Sequence, residues 1–290
     1  MTLSPPPAPN QAAPPGGGPL RLDVFNLSVK RGRRCVLEGV FFSVLPGEAW
    51  AILGASGGGK STLLQALAGW LPWAEGQVLF DGQAASALPV GRLGYVPQDD
   101  IVHTSLRVED ALRYGALLRW QNIYPQESLA TLKSLAKSSV DRVLEQVELE
   151  SQRRCRIASL SGGQRKRVNW AMELLTNPGI LFLDEPTSGL DPALEGRMTR
   201  LFQRASRRGC SVLLTTHSTQ SLLTLDMVLM LAAGRVVWCG PPREMLTWFK
   251  VDQFADIYEL LEEPQAKWAE RFVSSNYHYL YVQKRLEQII

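Results

Sequence analysis

The string Gly54-Ala55-Ser56-Gly57-Gly58-Gly59-Lys60-Ser61 has residue types and spacing suited to holding a phosphate chain. Its glycines let backbone N–H groups converge on an anion, Lys60 can reach β and γ oxygens, the Ser61 hydroxyl can ligate Mg²⁺, and Thr62 falls near the α-phosphate. The pair Asp184-Glu185 follows an apolar run. It offers Asp184 to a magnesium ion, usually through water, and Glu185 as a general base that orients and deprotonates an attacking water. Alone, two adjacent acids read more readily as a solvated turn or a helix cap. The phosphate loop upstream turns that reading toward hydrolysis. Gln98 stands where a strand gives way to a helical stretch, a place for sensing Mg²⁺ and the γ-phosphate at a hinge. His217, one of three histidines, can bond the γ-phosphate from a strand end, although a lone histidine there is often structural. Glu185, His217, Gln98 and Lys60 are therefore the candidate catalytic groups. Ser161-Gly162-Gly163-Gln164 offers a flexible backbone and the positive end of a helix to an anion, or else is a helix cap without a ligand.

Such groups need a scaffold that brings them to one edge. Ala49-Trp50-Ala51-Ile52-Leu53 reads as a buried strand, the glycines follow at once, and residues 61–68 have helical period. Residues 179–183 and 212–216 are further buried strands, each delivering polar residues at its end, and residues 94–97 form a third before Gln98. Strands of this kind alternate with helical runs, including 164–176, and predict an α/β chain whose ligands sit at the carboxyl end of a mainly parallel sheet. Between Gln98 and Ser161 the apolar spacing is helical, as in Val108, Ala111, Leu112 and Val140, Val143, Leu144.

In sequence, order and spacing these residues resemble one family, the nucleotide-binding domains of ATP-binding cassette (ABC) proteins, over about residues 22–240. Walker A is 54–61, the Q-loop is Gln98, the signature is Leu160-Ser161-Gly162-Gly163-Gln164, Walker B is 180–184, the D-loop is Ser188-Gly189-Leu190-Asp191, and the switch histidine is His217. The resemblance implies an α/β P-loop NTPase with a RecA-like, mainly parallel sheet core, an antiparallel β subdomain and an α-helical subdomain at about 99–165. It divides the chain into an arm (1–19), the ATPase domain (20–240) and a C-terminal helical extension (241–290). Its cofactors are ATP and Mg²⁺, the metal being held through Ser61, Gln98 and Asp184. Family members pack two domains head to tail, so that residues 161–164 of one copy close on the ATP of the other, with Ser161 and Gly163 as γ-phosphate ligands and Asp191 across the interface. With every motif intact, a homodimer has two competent sites. The helical subdomain usually receives a membrane partner, here on the face of about 99–119. One position departs from the pattern: no aromatic residue precedes Gly32 to stack on adenine, and Arg31 stands there instead. Its guanidinium can stack on a base, or the stretch is an exposed basic hairpin turn.

Tyr95-Val96-Pro97-Gln98-Asp99-Asp100, the run Gln164-Arg165-Lys166-Arg167-Val168 and the tail after Gly240 resemble the white-type exporters, subfamily G, and their bacterial relatives. The basic run reads equally as a solvated helix face. Trp268, Phe272, Tyr277, Tyr279, Leu280 and Tyr281 make an aromatic tail, closing with Leu286 and Ile289-Ile290, that either contacts a partner or the membrane interface or packs back on the ATPase core.

Composition bounds the rest. With 290 residues and 45% apolar content, the chain can bury a full core. Residues 1–19, dominated by Pro, Ala and Gly, are too poor in large apolar side chains to pack, so a disordered arm is expected, and they lack the pattern of a signal peptide. No stretch approaches the roughly 18 uninterrupted apolar residues of a membrane span, so transport requires a separate permease. Four cysteines without metal spacing imply reduced thiols. A net charge of +3 argues against a nucleic-acid partner. The sequence therefore leads to the ATPase subunit of an ABC exporter, peripheral at the cytoplasmic face of the membrane. An importer subunit or a soluble ABC switch acting on ribosomes or nucleic acid is the alternative.

Overall fold

The computed structural model describes residues 17–261 and 265–288. β1 (Leu22–Arg31) and β2 (Arg34–Val44) form a hairpin that turns at Arg31-Gly32-Arg33-Arg34, where Gly32 has φ of 60°. The basic stretch is thus an exposed turn. β3 (Ala49–Gly54) leads through the glycine loop into α1 (Lys60–Leu67), and β4 (Glu75–Phe80) and β5 (Gln83–Ala84) complete an antiparallel sheet of order β2-β1-β4-β5. After β6 (Leu93–Val96) the chain builds α2 (Val108–Ile123), α3 (Leu129–Gln146) and α4 (Gly162–Leu174), then returns through β7 (Ile180–Leu183), α5 (Pro192–Arg207), β8 (Ser211–Thr215), β9 (Met227–Ala232) and β10 (Arg235–Gly240).

The second sheet has the order β10-β9-β3-β8-β7-β6, with parallel pairing from β9 to β6 and β10 antiparallel at one edge. Every residue of β3, β7, β8 and β9 is buried. That is the signature of parallel strands covered on both faces, and it explains why they read as unbroken apolar runs rather than alternating ones. The expected α/β architecture, with a mainly parallel core, an antiparallel sheet and a helical lobe, is present.

One helix is displaced along the chain. The helix expected at 164–176 runs over Gly162–Leu174, because Ser161 and Gln164 form a reciprocal capping box that starts it two residues earlier despite two glycines. Of the arm, residues 1–16 lie outside the described residues. Gly17 and Gly18 are tied down, their carbonyls accepting from the Arg92 guanidinium.

α2 and α3 pack against each other, with the buried Trp120 indole donating to Ser139 Oγ at 3.1 Å. The basic run is not a solvated face. Arg167 is buried, and its guanidinium caps the end of α3 by donating to the Val147 and Glu148 carbonyls at 3.0 and 2.9 Å.

Beyond β10 come α6 (Pro242–Phe249), α7 (Asp256–Leu260), α8 (Gln265–Val273), α9 (Asn276–His278), a π-helical turn at Tyr279–Gln283 and α10 (Lys284–Glu287). This tail folds back on the core. Trp238 of β10 meets Trp248, Phe272 and Tyr277 at ring distances of 5.0–6.2 Å. Arg285 donates to Glu48 Oε2 at 2.9 Å, and the Tyr281 hydroxyl donates to Glu244 at 2.7 Å. Burial and the Glu244 carboxylate push that phenol up to about 12. Ile289-Ile290 lie outside the described residues. Cys35 and Cys155 are exposed thiols, while burial pushes those of Cys210 and Cys239 up to about 12. No helix among the described residues is long and apolar enough to cross a membrane.

Candidate nucleotide-hydrolysis site

The glycine loop is held open by steric necessity at its two ends. Gly54 has φ of 150°, and a Cβ there would lie 2.5 Å from the Leu231 carbonyl oxygen. Gly59 has φ of 99°, and a Cβ would meet Leu37 Cδ2 at 2.7 Å. No other residue type fits either place without moving its neighbours. Gly59 caps α1 without a side-chain hydrogen bond, and the first turn holds no acid, so its N–H groups point free into the loop. The Lys60 ammonium lies across this loop, donating to the Gly54 and Ala55 carbonyls at 2.9 and 3.1 Å. Burial lowers its pKa, opposed by the charges of Glu185 and Asp184.

β7 delivers the two acids side by side but to different surroundings. Buried Asp184 accepts on one oxygen from Ser61 Oγ at 2.9 Å and Thr215 Oγ1 at 2.8 Å, and on the other from the Tyr95 hydroxyl at 3.3 Å. Burial, then the adjacent Asp184 charge, holds the Tyr95 phenol protonated far above its ordinary range. Glu185 turns out of the sheet with φ of 46°, a left-handed conformation that costs a non-glycine residue about 1–3 kcal/mol. Its N–H is held by Thr215 Oγ1 at 2.8 Å, its carboxylate by His217 Nε2 at 2.6 Å and by the Gln98 amide at 3.3 Å.

Together these residues surround a cleft of about 370 Å³ lined by Ser56, Gly57, Gly59, Lys60, Ser61, Thr62, Gln98, Glu185 and His217. The oxygen donors suit a small hard cation, which takes oxygen ligands and keeps several waters. Among the described residues no group of three or more His, Cys, Asp or Glu could hold a metal by itself. Ser61 and Asp184 thus fit a magnesium ion whose other ligands are water and phosphate oxygens. Gln98 contributes its amide to Glu185 rather than to that pair.

The remaining sequence candidates stand apart from this cleft. Ser161 and Gln164 cap each other at 3.3 and 3.0 Å, and Gly163 packs near Leu190 and Leu194. Asp191 caps α5, accepting from the Ala193 and Leu194 amides at 3.0 Å each. Arg31 is exposed, with its guanidinium on Gln65 Oε1 of α1 at 3.2 Å. Sequence reasoning overlooked Tyr95 and Thr215 as site residues. Their one signal was a hydroxyl near the carboxyl end of a buried strand.

The sequence model described as "ABC transporter" matches residues 37–188. Over 240 residues the chain is 41% identical to an ABC transporter ATP-binding/permease protein of Mycobacterium tuberculosis, covering 81% of this chain and 27% of that protein. It is 35% identical to ABC transporter G family member 14 of Arabidopsis thaliana, covering 77% and 34% respectively. The white protein of Drosophila melanogaster is likewise 35% identical, covering 75% and 33%. The chain spans about a third or less of the length of these relatives. In three dimensions it is similar to cbiO1 of Clostridium perfringens, part of the ABC transporter complex cbiONQ, with a TM-score of 0.69 and 29% identity over 83% of this chain and 98% of that one.

Proposed function

Because the chain belongs to the ABC transporter family, we propose that it is the ATP-binding and hydrolysing subunit of an exporter, working as a homodimer on a separate membrane-spanning permease. The observation that carries the catalytic part is the single cleft where Lys60, Ser61, Gln98, Glu185 and His217 converge over the Asp184 carboxylate. Backbone amides of residues 56–60 and the Lys60 ammonium bind the triphosphate. Ser61 and Asp184 would hold a Mg²⁺ ion, which when bound would supply positive charge to the phosphate oxygens. Glu185 accepts a proton from water as its oxygen attacks the γ-phosphorus and the bond to the β–γ bridging oxygen breaks, releasing ADP and phosphate. His217 and Gln98 aim the Glu185 carboxylate, and His217 would bond the γ-phosphate from the same side of the cleft.

The signature supports a dimer because it lies outside its own chain's cleft. Ser161, Gly162, Gly163 and Gln164 form the N-terminal turn of a thirteen-residue helix, suited to the γ-phosphate of a second copy. Asp191 and the neighbouring cleft of residues 187–190, which shares Glu185 and His217, then lie at the seam. On the helical lobe the exposed side chains of Ile101, Tyr114 and Leu118 support docking of an apolar helix from the permease at the cytoplasmic face of the membrane. The similarity to white-type proteins supports export.

Glu185→Gln tests both halves. Turnover should fall by at least about 100-fold, the usual contribution of a general base, and ATP should convert the variant into a dimer visible by light scattering. Normal turnover would remove Glu185 from its role, and a persistent monomer would remove the head-to-tail arrangement. Affinity isolation of this variant with ATP from solubilised native membranes should recover a polytopic protein in about equal amount. Ribosomal or nucleic-acid material without one would favour the soluble switch.

A further inference from the structure

The basic run Arg165-Lys166-Arg167 finds a use in the structure beyond the capping of α3 by Arg167. Three residues of α4 hold the segment that begins at Gln98. The Lys166 ammonium donates to the Gln98 carbonyl and lies 4.0 Å from Asp100 Oδ1. Arg165 Nε lies 3.3 Å from Asp100 Oδ2 as an ion pair, without hydrogen-bond alignment. Asn169, only 2% exposed, uses both ends of its amide here: Oδ1 accepts from the Ile101 N–H at 3.1 Å, and Nδ2 donates to Asp100 Oδ1.

Asp100 is thus the point on which Arg165, Lys166 and Asn169 converge. The ion pairs are partly exposed and by themselves weak. The buried Asn169 amide is not, since losing its partners strands polar groups in the interior. The same helix begins at Ser161, while Gln98 touches Glu185 in the cleft. One hydrogen-bonded block therefore joins the residue that contacts the catalytic carboxylate of this chain's site to the helix end offered to a second copy's site.

We infer that Asp100 is a positioning residue that makes Gln98 and the signature helix move as one body, so that occupancy of one nucleotide site sets the placement of residues 161–164 in the other. This rests on the head-to-tail dimer proposed above. It requires positive cooperativity in ATP turnover, with a Hill coefficient above 1 and at most 2 for two sites.

Asp100→Ala tests it. The Hill coefficient should drop to about 1 and kcat should fall roughly fivefold or more, a coupling of ordinary size. ATP affinity of the isolated subunit should stay close to wild type, while the midpoint of thermal unfolding should drop by about 2–5 °C because the buried Asn169 Nδ2 loses its acceptor. Asp100→Asn keeps an acceptor for Asn169 and should recover part of the cooperativity. Lys166→Met, which leaves the Asp100–Asn169 contact in place, should lower the Hill coefficient as well. An unchanged Hill coefficient in Asp100→Ala, a wild-type value of 1, or a loss that tracks thermal stability without recovery in Asp100→Asn would each overturn the inference. If Glu185→Gln stays monomeric with ATP, the dimer reading fails and the linkage falls with it. If that variant dimerises while Asp100→Ala remains cooperative, the linkage alone fails.

Discussion

Thr215→Val isolates the device that separates the two acids. Thr215 has no exposed surface, and its hydroxyl does two things at once: it donates to Asp184 at 2.8 Å and accepts the Glu185 amide at 2.8 Å. Valine keeps the shape and deletes both bonds. Losing a hydrogen bond to a charged group costs about 1.5–3 kcal/mol, and leaving a buried amide without an acceptor costs about 1–3 kcal/mol. Against this, the added methyl regains under about 1 kcal/mol of burial. The net expectation is a loss of about 3 kcal/mol, a large fraction of the stability of an ordinary domain. For a chain of this length it lowers the unfolding midpoint by about 5 °C. The Glu185 amide also anchors a backbone at φ of 46°, so freeing it lets the carboxylate leave His217 and Gln98, and with them the direction proposed for the base. Turnover should fall by about 10–100-fold, corresponding to about 1.4–2.8 kcal/mol in the barrier. Lys60 and the loop amides are untouched, so nucleotide affinity should change little. Denaturant unfolding, steady-state ATPase rates and titration with a fluorescent nucleotide read the three quantities separately. Wild-type stability together with wild-type turnover would refute the reasoning, because it would mean that neither bond matters.

Two further outcomes follow from contacts away from the cleft. Arg285→Ala removes the hydrogen bond to Glu48 at 2.9 Å and a second to the Ser43 carbonyl at 3.3 Å, both partly buried; urea unfolding should register a loss of about 1–2 kcal/mol, and no change would show that the tail is held by its aromatic contacts alone. Glu148 bridges Arg197 and Arg204 of α5, and its hydrogen bonds to those guanidiniums lower its pKa from 4.5. A carboxylate with a depressed folded pKa contributes stability above 4.5 that is lost as the pH falls through the lowered value. Glu148→Gln should therefore reduce stability at pH 7 slightly, the pair being exposed, and flatten the acid limb of a stability profile; an acid limb identical to wild type would show that the bridge is screened out.

Much of the cleft was legible in the chain because its chemistry is local. A strand, a glycine loop and a helix N-terminus form within twenty residues, and both the loop's anion affinity and the reach of Lys60 follow from that order. Asp184 and Glu185 were readable for the same reason, being adjacent at the end of an apolar run. Boundaries were less so: Gly162 and Gly163 disfavour a helix interior, and only the reciprocal cap of Ser161 with Gln164 starts α4 ahead of them.

Residue order along the chain sets the inventory of groups and the succession of buried strands that deliver them to one edge. Their pairing depends on packing. Thr215 reaches Asp184 and Glu185 because β7 and β8 run parallel with Leu183 beside Leu214, a register that no spacing along the chain encodes. Tyr95 joins the same carboxylate because β6 lies on the far side of β7. The basic run of α4 could be a solvated face or a set of anchors until packing set Arg165 and Lys166 against Asp100 and buried Arg167 under α3. The aromatic tail could likewise face a partner or its own core; Trp238 on β10 draws Phe272 and Tyr277 to the core, while Tyr279 and Leu280 stay exposed. In each case the side chains suit two environments equally, and the free energy that selects one comes from partners tens to hundreds of residues away, which only the folded chain brings within reach.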